Sequence, residues 1–338
     1  MKAGSIQLSR RMFLASASAC LLRAQKAEIS SFDFSLLDEG PTPADLFFVR
    51  EHFPAPGVSS AGWKLSISGA VATPFEIPYE DISAQPRKVL PLTLECAENP
   101  AGGGLVSHAE WTGISLASLI EKARASPEAR FVRLSGADGF SRSVPLAKAM
   151  HPDTLIAHNM NGEKLPVNHG FPLRALIPGW YGMDSVKWLR RVELLVNDDP
   201  EHYYVRLLRS LLTGTRPAGP VTAMNVKSAF SRPLDGAVLV GRHFTVRGAA
   251  WAGENRVRRV EVSTDGGKSW QAARLASDAL RYSWVHWTYA WKIPGAGQYE
   301  LAVRATDDAG REQNAERAAN RVDEYELNAW QTVRVTVT

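Results

Sequence analysis

One thiol and a scattered set of cations are the residues best suited to chemistry. Cys96 closes the alternating run Leu90, Leu92, Leu94 and Cys96, and the loop Ala97-Glu98-Asn99-Pro100-Ala101-Gly102-Gly103-Gly104 follows it. Three glycines in that loop predict a backbone flexible enough to approach a ligand closely. A thiolate at the mouth of a strand is a soft ligand, able to hold one metal whose other ligands come from a cofactor. The same thiol is equally compatible with a buried filler, because free cysteine is among the most buried residue types. Phe48-Val49-Arg50-Glu51-His52 and His169-Gly170-Phe171-Pro172-Leu173-Arg174 each carry a His and an Arg, and Ser185-Val186-Lys187-Trp188 adds a hydroxyl and a lysine. Such a set suits a phosphate, with aromatic neighbours to cover a flat ring; singly, each is also an ordinary surface charge.

The elements that must position these residues fall into two regions. Trp63 to Ile67 alternates as a half-buried strand, and Ser115 stands where it can cap a helix carrying Leu116, Leu119, Ile120 and Ala123. Met160-Asn161-Gly162-Glu163 reads as a hairpin turn, since Asn-Gly tolerates positive φ, and Val186 to Val196 reads as a closing strand. Around residues 200–222 the breaker-rich run Thr213 to Pro220 marks a linker. Beyond it the helical signals vanish. Val257 to Ser263, Tyr282 to Lys292, Gln298 to Thr306 and Gln331 to Val337 read as short strands of an immunoglobulin-type sandwich. The aromatic run Tyr282 to Tyr289 alternates and is expected to pack a core or an interface.

Composition narrows the chemistry. Two cysteines, Cys20 and Cys96, exclude an iron–sulfur cluster, a zinc ribbon, a disulfide framework and a Cys-x-x-Cys-His haem attachment. The chain has 39 Lys and Arg against 35 Asp and Glu, but Lys2, Arg10, Arg11 and Arg23 stand in a first segment without acids; removing those four leaves 35 against 35. A balanced mature chain gives no reason to expect nucleic acid as a partner. Arg10-Arg11 directly before the short apolar run Met12 to Leu22 predicts a twin-arginine signal over residues 1–24, with periplasmic or otherwise exported protein, and no segment predicts a membrane span.

The motifs carry a resemblance. Phe-Val-Arg-x-His (48–52), Leu-x-Cys-Ala-x-Asn (94–99), Ala-x-Trp-Thr-Gly (109–113), Met-Asn-Gly-Glu-x-Leu-Pro (160–166), His-Gly-Phe-Pro-x-Arg (169–174) and Val-Lys-Trp-Leu (186–189) resemble the molybdopterin-binding domain of the sulfite oxidase family. The stretch Arg259 to Ser263, Asp265-Gly266-Gly267 and Ser269-Trp270 is similar to that family's dimerisation domain. The resemblance implies an α+β chain. A mixed α/β molybdopterin-binding domain (40–212) would be joined by a linker (213–222) to an all-β immunoglobulin-like dimerisation domain (223–338) and a homodimer would form.

It also implies roles. Cys96 is the thiolate expected on molybdenum, in one molybdopterin cofactor per chain and without haem. Phe48, Arg50, His52, Asp138, His169, Arg174, Ser185, Val186 and Lys187 are expected to line the cofactor, and Arg50 to contact an anionic substrate. Tyr204, beside Tyr203, is taken for the active-site tyrosine, although one register sets Leu208 there; Arg321, after Asn320, is taken for the second domain's substrate arginine. The expected reaction is oxygen-atom transfer converting sulfite, or a similar small sulfur oxyanion, to sulfate. Its electrons would pass to a separate carrier such as a c-type cytochrome, because the stretch before Phe48 leaves no room for a haem domain. A related activity on an S-oxide and a non-catalytic binding protein are the alternatives. One departure bears on the substrate. Five positions after the cysteine, where sulfite oxidases carry an arginine, this chain has Ala101; Arg142 or Lys148 could supply the missing cation, and His108 either reaches the cavity or sits at the surface.

Overall fold

The computed structural model describes residues 28–37, 40–198, 221–316 and 325–338. The expected signal (1–24), most of the expected linker (213–222), and Tyr203, Tyr204, Leu208, Asn320 and Arg321 lie outside the described residues.

The first domain is built of two five-stranded sheets. In one, Lys88–Glu95, Val106–Ser115 and Leu155–Met160 run antiparallel; Glu163–Lys164 and Arg174–Leu176 both pair with the last of these. In the other, Leu189–Leu195 lies parallel to Lys64–Gly69 and antiparallel to Phe131–Gly136, with Phe75–Pro78 and Ser141–Pro145 at the edges. Leu65, Ile67, Val132, Leu134, Val192 and Ile156 are fully buried in the core of this domain. Asn161 and Gly162, with φ of 51° and 82°, make the expected hairpin turn.

The first domain holds more strand and less helix than the mixed α/β reading expected. Its three α-helices among the described residues are Tyr79–Ser83, Leu116–Ala123 and Leu146–Ala149, of five, eight and four residues. Helices this short form no layer of their own and persist only by packing on a sheet. Leu116–Ala123 does so through Leu116, Leu119, Ile120 and Ala123, at the expected spacing. Ser115 is its N-cap residue, but the hydroxyl makes no capping hydrogen bond.

The second domain is a sandwich of a four-stranded and a five-stranded sheet, with no α-helix among the described residues. Val257–Ser263 and Gln331–Val337 form as expected, whereas Gln298 to Thr306 extends to Gly297–Asp307. The aromatic run divides. Trp287 and Trp291 fill the sandwich core from strand Val285–Lys292, while Tyr282 and Trp284 leave that sheet and pack against the first domain. Thr93 N–H donates to Tyr282 O (2.7 Å), and Trp284 N–H donates to Thr93 Oγ1 (2.8 Å), so this segment docks on the strand that leads to Cys96.

Candidate cofactor and active site

Strand Lys88–Glu95 delivers Cys96 to the edge of a cleft. Leu92 and Leu94 are fully buried, as the alternation requires, but Thr93 and Glu95 on the opposite face are fully buried too. The second domain covers that face. Lys227 Nζ donates to Glu95 Oε1 and to Asn99 O, both at 2.7 Å, and Trp251 Nε1 donates to Glu95 Oε2 at 2.9 Å. Asn99 Nδ2 donates back to Glu95 Oε1 (3.1 Å), while its Oδ1 accepts from Leu105 N–H (2.9 Å). The loop after Cys96 is therefore pinned from behind.

Its glycines serve the protein's own packing, which corrects the expectation of a ligand-hugging loop. A Cβ on Gly104 would stand 2.2 Å from Phe32 O, and one on Gly102 would stand 2.2 Å from Gln331 Nε2. Only Cys96 and Glu98 of this loop line the cleft; Ala101 does not.

All ten residues expected around a cofactor line this one cleft: Phe48, Arg50, His52, Cys96, Asp138, His169, Arg174, Ser185, Val186 and Lys187. They arrive from five separate stretches. Strand Val49–Arg50 and its flanks bring the first three, strand Lys88–Glu95 leads to Cys96, the Phe131–Gly136/Ser141–Pro145 connection brings Asp138, and the turns around residues 169–174 and 182–188 bring the rest. Gly170, at φ 108°, makes the close approach of the last two turns feasible, since a Cβ there would lie 3.1 Å from the Lys187 Cα.

The electrostatics are those of an anion site. Arg174 is buried, its Nε donating to Ser185 O (3.3 Å) and its Nη1 to His169 O (3.2 Å), and no carboxylate pairs with it among the described residues. Burial pushes its pKa down to about 9, still charged at neutral pH. Lys187 Nζ donates to Asn168 O (2.8 Å) and faces Glu51 Oε1 at 3.3 Å; burial, then the nearby Arg174, lowers it to about 8. His169 is held neutral, with pKa about 4, by burial and by those two cations. Its Nε2 donates to Ala44 O (2.7 Å), which leaves Nδ1 as an acceptor. Cys96 is part-buried; burial raises its pKa, while the Glu98 backbone amide hydrogen-bonds the thiol and opposes that rise.

These features fit a molybdopterin. Among the described residues no group of three or more His, Cys, Asp or Glu gathers as a ligand set, so a metal held by Cys96 draws its remaining ligands from a non-protein group. A buried guanidinium without a carboxylate calls for an anion such as a phosphate. Phe48, Phe140 and Trp188 provide apolar walls for a flat ring.

The anion site carries a pH prediction. An anion between Arg174 and Lys187 favours their charged forms and so raises both pKa values. Inorganic pyrophosphate binding to the cofactor-free protein should therefore take up protons and weaken by about tenfold per pH unit between pH 8 and 9, where Lys187 alone titrates. Calorimetric titration in two buffers of different ionisation heat measures this; a flat profile between pH 7 and 9 would refute it.

Other expectations separate. Arg142 lines the cleft, its Nε bonded to Asp184 Oδ1 at 2.9 Å. Lys148 does not; it is held by Pro178 O (2.8 Å) and Glu254. His108 is neither in the cleft nor at the surface: it is buried, stacked on Trp284, with Nδ1 3.1 Å from Thr93 Oγ1. Residues not singled out from sequence also line the cleft: Glu51, Glu98, Phe140, Gly182, Met183, Trp188, Val221 and Tyr325. Glu51 and Glu98 occupy the open positions of two motifs, and Trp188 stands within a third.

Fold and site together define a molybdopterin-binding oxidoreductase. Residues 52–204 match the oxidoreductase molybdopterin binding domain, and residues 219–338 match the Mo-co oxidoreductase dimerisation domain. The chain belongs to the sulfite oxidase family. It is 30% identical over 306 residues to the sulfite oxidase of Gallus gallus, covering 79% of this chain and 67% of that protein. To the mitochondrial sulfite oxidase of Homo sapiens it is 32% identical over 310 residues, which cover 79% of this chain and 56% of that protein, so it spans little more than half of such relatives. A nitrate reductase of Aspergillus niger is 32% identical over 341 residues, with coverage of 81% and 39%. The crystal structure of the sulfane dehydrogenase SoxCD from Paracoccus pantotrophus superposes with a TM-score of 0.79 at 28% identity, covering 90% of this chain and 84% of that one.

Proposed function

We propose that the protein oxidises sulfite, or a similar small sulfur oxyanion, by oxygen-atom transfer at a molybdenum cofactor bound once per chain. The observation that carries this reading is the convergence of the Cys96 thiol, Arg50, the buried Arg174 and the part-buried Lys187 on one cleft. When bound, the molybdenum cofactor supplies a two-electron acceptor for oxygen transfer. Cys96 would hold the metal as a thiolate. Arg174 and Lys187 would anchor the cofactor's phosphate tail, and the neutral His169 would leave Nδ1 as an acceptor toward the cleft. Arg50, on the solvent side, draws in the substrate anion. Phe48 and Trp188, both buried, keep water from the ring face.

The electrons would pass to a separate acceptor, for which a c-type cytochrome is proposed. Homodimerisation through the second domain is supported by the match over residues 219–338. Export by the twin-arginine route rests on Arg10-Arg11 and the apolar run behind it. No helix of the described residues is long and apolar enough to cross a membrane.

A second reading, a related activity on another substrate such as an S-oxide, is favoured by Ala101 and by the breadth of the relatives, which include a nitrate reductase and a sulfane dehydrogenase. Metal-loaded protein mixed with sulfite and ferricyanide or cytochrome c should reduce the acceptor. Turnover of S-oxides by a reduced dye, with none of sulfite, selects the second reading. Purified protein without molybdenum returns the non-catalytic alternative.

A further inference from the structure

Beside the thiol, the cations that reach the cleft are already partnered among the described residues. Arg50 Nη1 donates to Glu51 O at 2.9 Å, and its Nη2 lies 3.4 Å from Glu98 Oε2. Arg142 is paired with Asp184 and Lys187 with Glu51. Arg174 is the exception, and its guanidinium is buried against the His169 and Ser185 carbonyls. The position from which sulfite oxidases present an arginine is Ala101, outside the cleft lining.

Glu98 is placed to matter. It stands two residues after Cys96, its own amide hydrogen-bonds the thiol, and its carboxylate and Arg50 act on that sulfur with opposite sign. The Arg50–Glu98 pair is neither sealed nor fully solvated, with side chains 34% and 24% exposed. An anion can therefore reach Arg50, but it must share that guanidinium with a carboxylate. Repulsion from Glu98 scales with the charge of the newcomer: a dianion feels twice what a monoanion feels, and an uncharged sulfur compound feels none.

We propose that Glu98 is a specificity residue of this site: by holding Arg50 it disfavours small free dianions and favours sulfur substrates carrying one negative charge or none. This rests on the reading that Arg50 meets the substrate, and it narrows the substrate class of that reading. Among oxyanions it admits a singly charged form ahead of the doubly charged one, and it speeds the departure of a dianionic product.

Sulfate, a dianion across the neutral range, and dimethyl sulfoxide, an uncharged sulfur compound, are the probes. Their binding to the holoenzyme is titrated by calorimetry for the wild type, Glu98→Gln and Glu98→Asp. Gln keeps the shape and removes the charge, so sulfate should bind about tenfold more tightly, while dimethyl sulfoxide affinity changes less than twofold. Asp, which keeps the charge, should retain the wild-type discrimination. Should Glu98→Gln not fold, Glu98→Ala tests the same charge. Unchanged sulfate affinity in the neutral variant, or equal changes for both probes, overturns the proposal. Turnover separates it from the functional reading. A wild type that oxidises no sulfur compound, with sulfate affinity still gained on neutralising Glu98, sinks the proposed function and leaves the selectivity standing; sulfite turnover with unchanged sulfate affinity does the reverse.

Discussion

Serine in place of Cys96 should yield a folded protein that contains no molybdenum and turns over nothing. The loop around this residue is built from backbone and Asn99 bonds: Cys96 N–H to Leu105 O, Asn99 N–H to Cys96 O, and Leu105 N–H to Asn99 Oδ1, each 2.9 Å. None of these three uses the sulfur, and a serine hydroxyl can accept from the Glu98 amide in the thiol's place, so thermal unfolding should shift by only a few degrees. The metal bond is another matter. A serine hydroxyl is a harder and far weaker acid than a thiol and does not replace a thiolate on a soft site. Among the described residues no group of three or more His, Cys, Asp or Glu stands ready to replace it. Elemental analysis of purified wild type and variant, beside their unfolding curves, checks this. Full molybdenum occupancy in the serine variant would remove Cys96 from the metal.

Lys227→Met should be the most destabilising single change behind the site. Lys227 and Glu95 are both fully buried, and the methionine leaves the Glu95 carboxylate with Trp251 Nε1 and Asn99 Nδ2 as its neutral donors. Stranding one partner of a buried pair costs about 3–5 kcal/mol. At roughly 2–4 °C per kcal/mol for domains of this size, the transition should fall by about 10 °C. The double variant Lys227→Met/Glu95→Leu removes both charges and should recover most of that loss, since an apolar pair of similar volume often matches a buried ion pair. A single variant as stable as the wild type would show that the bond between domains carries no weight. Both variants should retain less cofactor than the wild type, because each removes the Lys227 ammonium that holds the Asn99 carbonyl of the thiol loop.

The cleft was legible in sequence to the extent that its residues sit inside short motifs. Phe48, Arg50 and His52 come as one motif, His169 and Arg174 as another, and chain topology folds them onto Cys96. What escaped sequence reasoning depends on contacts between distant segments. Strand Lys88–Glu95 looked half-exposed because the cover over Thr93 and Glu95 comes from residues 227, 251 and 282–284. The glycine-rich loop looked ready for a ligand because nothing local shows Phe32 and Gln331 pressing on it. The mixed α/β reading rested on the resemblance and on one helical spacing, Leu116 to Ala123, and a chain dominated by period-two patterning holds little helix beyond it. Glu51 and Glu98 passed unnoticed because a carboxylate's bearing on a cationic site lies in which guanidinium or ammonium it faces, and spacing along a chain does not reveal that.

The wall of the cleft is completed late. Tyr325 lines it, and the Glu326 amide donates to Ala97 O at 2.8 Å, next to Cys96. A ribosome delivers residue 96 long before residue 326, so during translation the pocket lacks one of its sides. The finished pocket therefore exists only once residues 325–326 have folded back against the loop that carries Cys96.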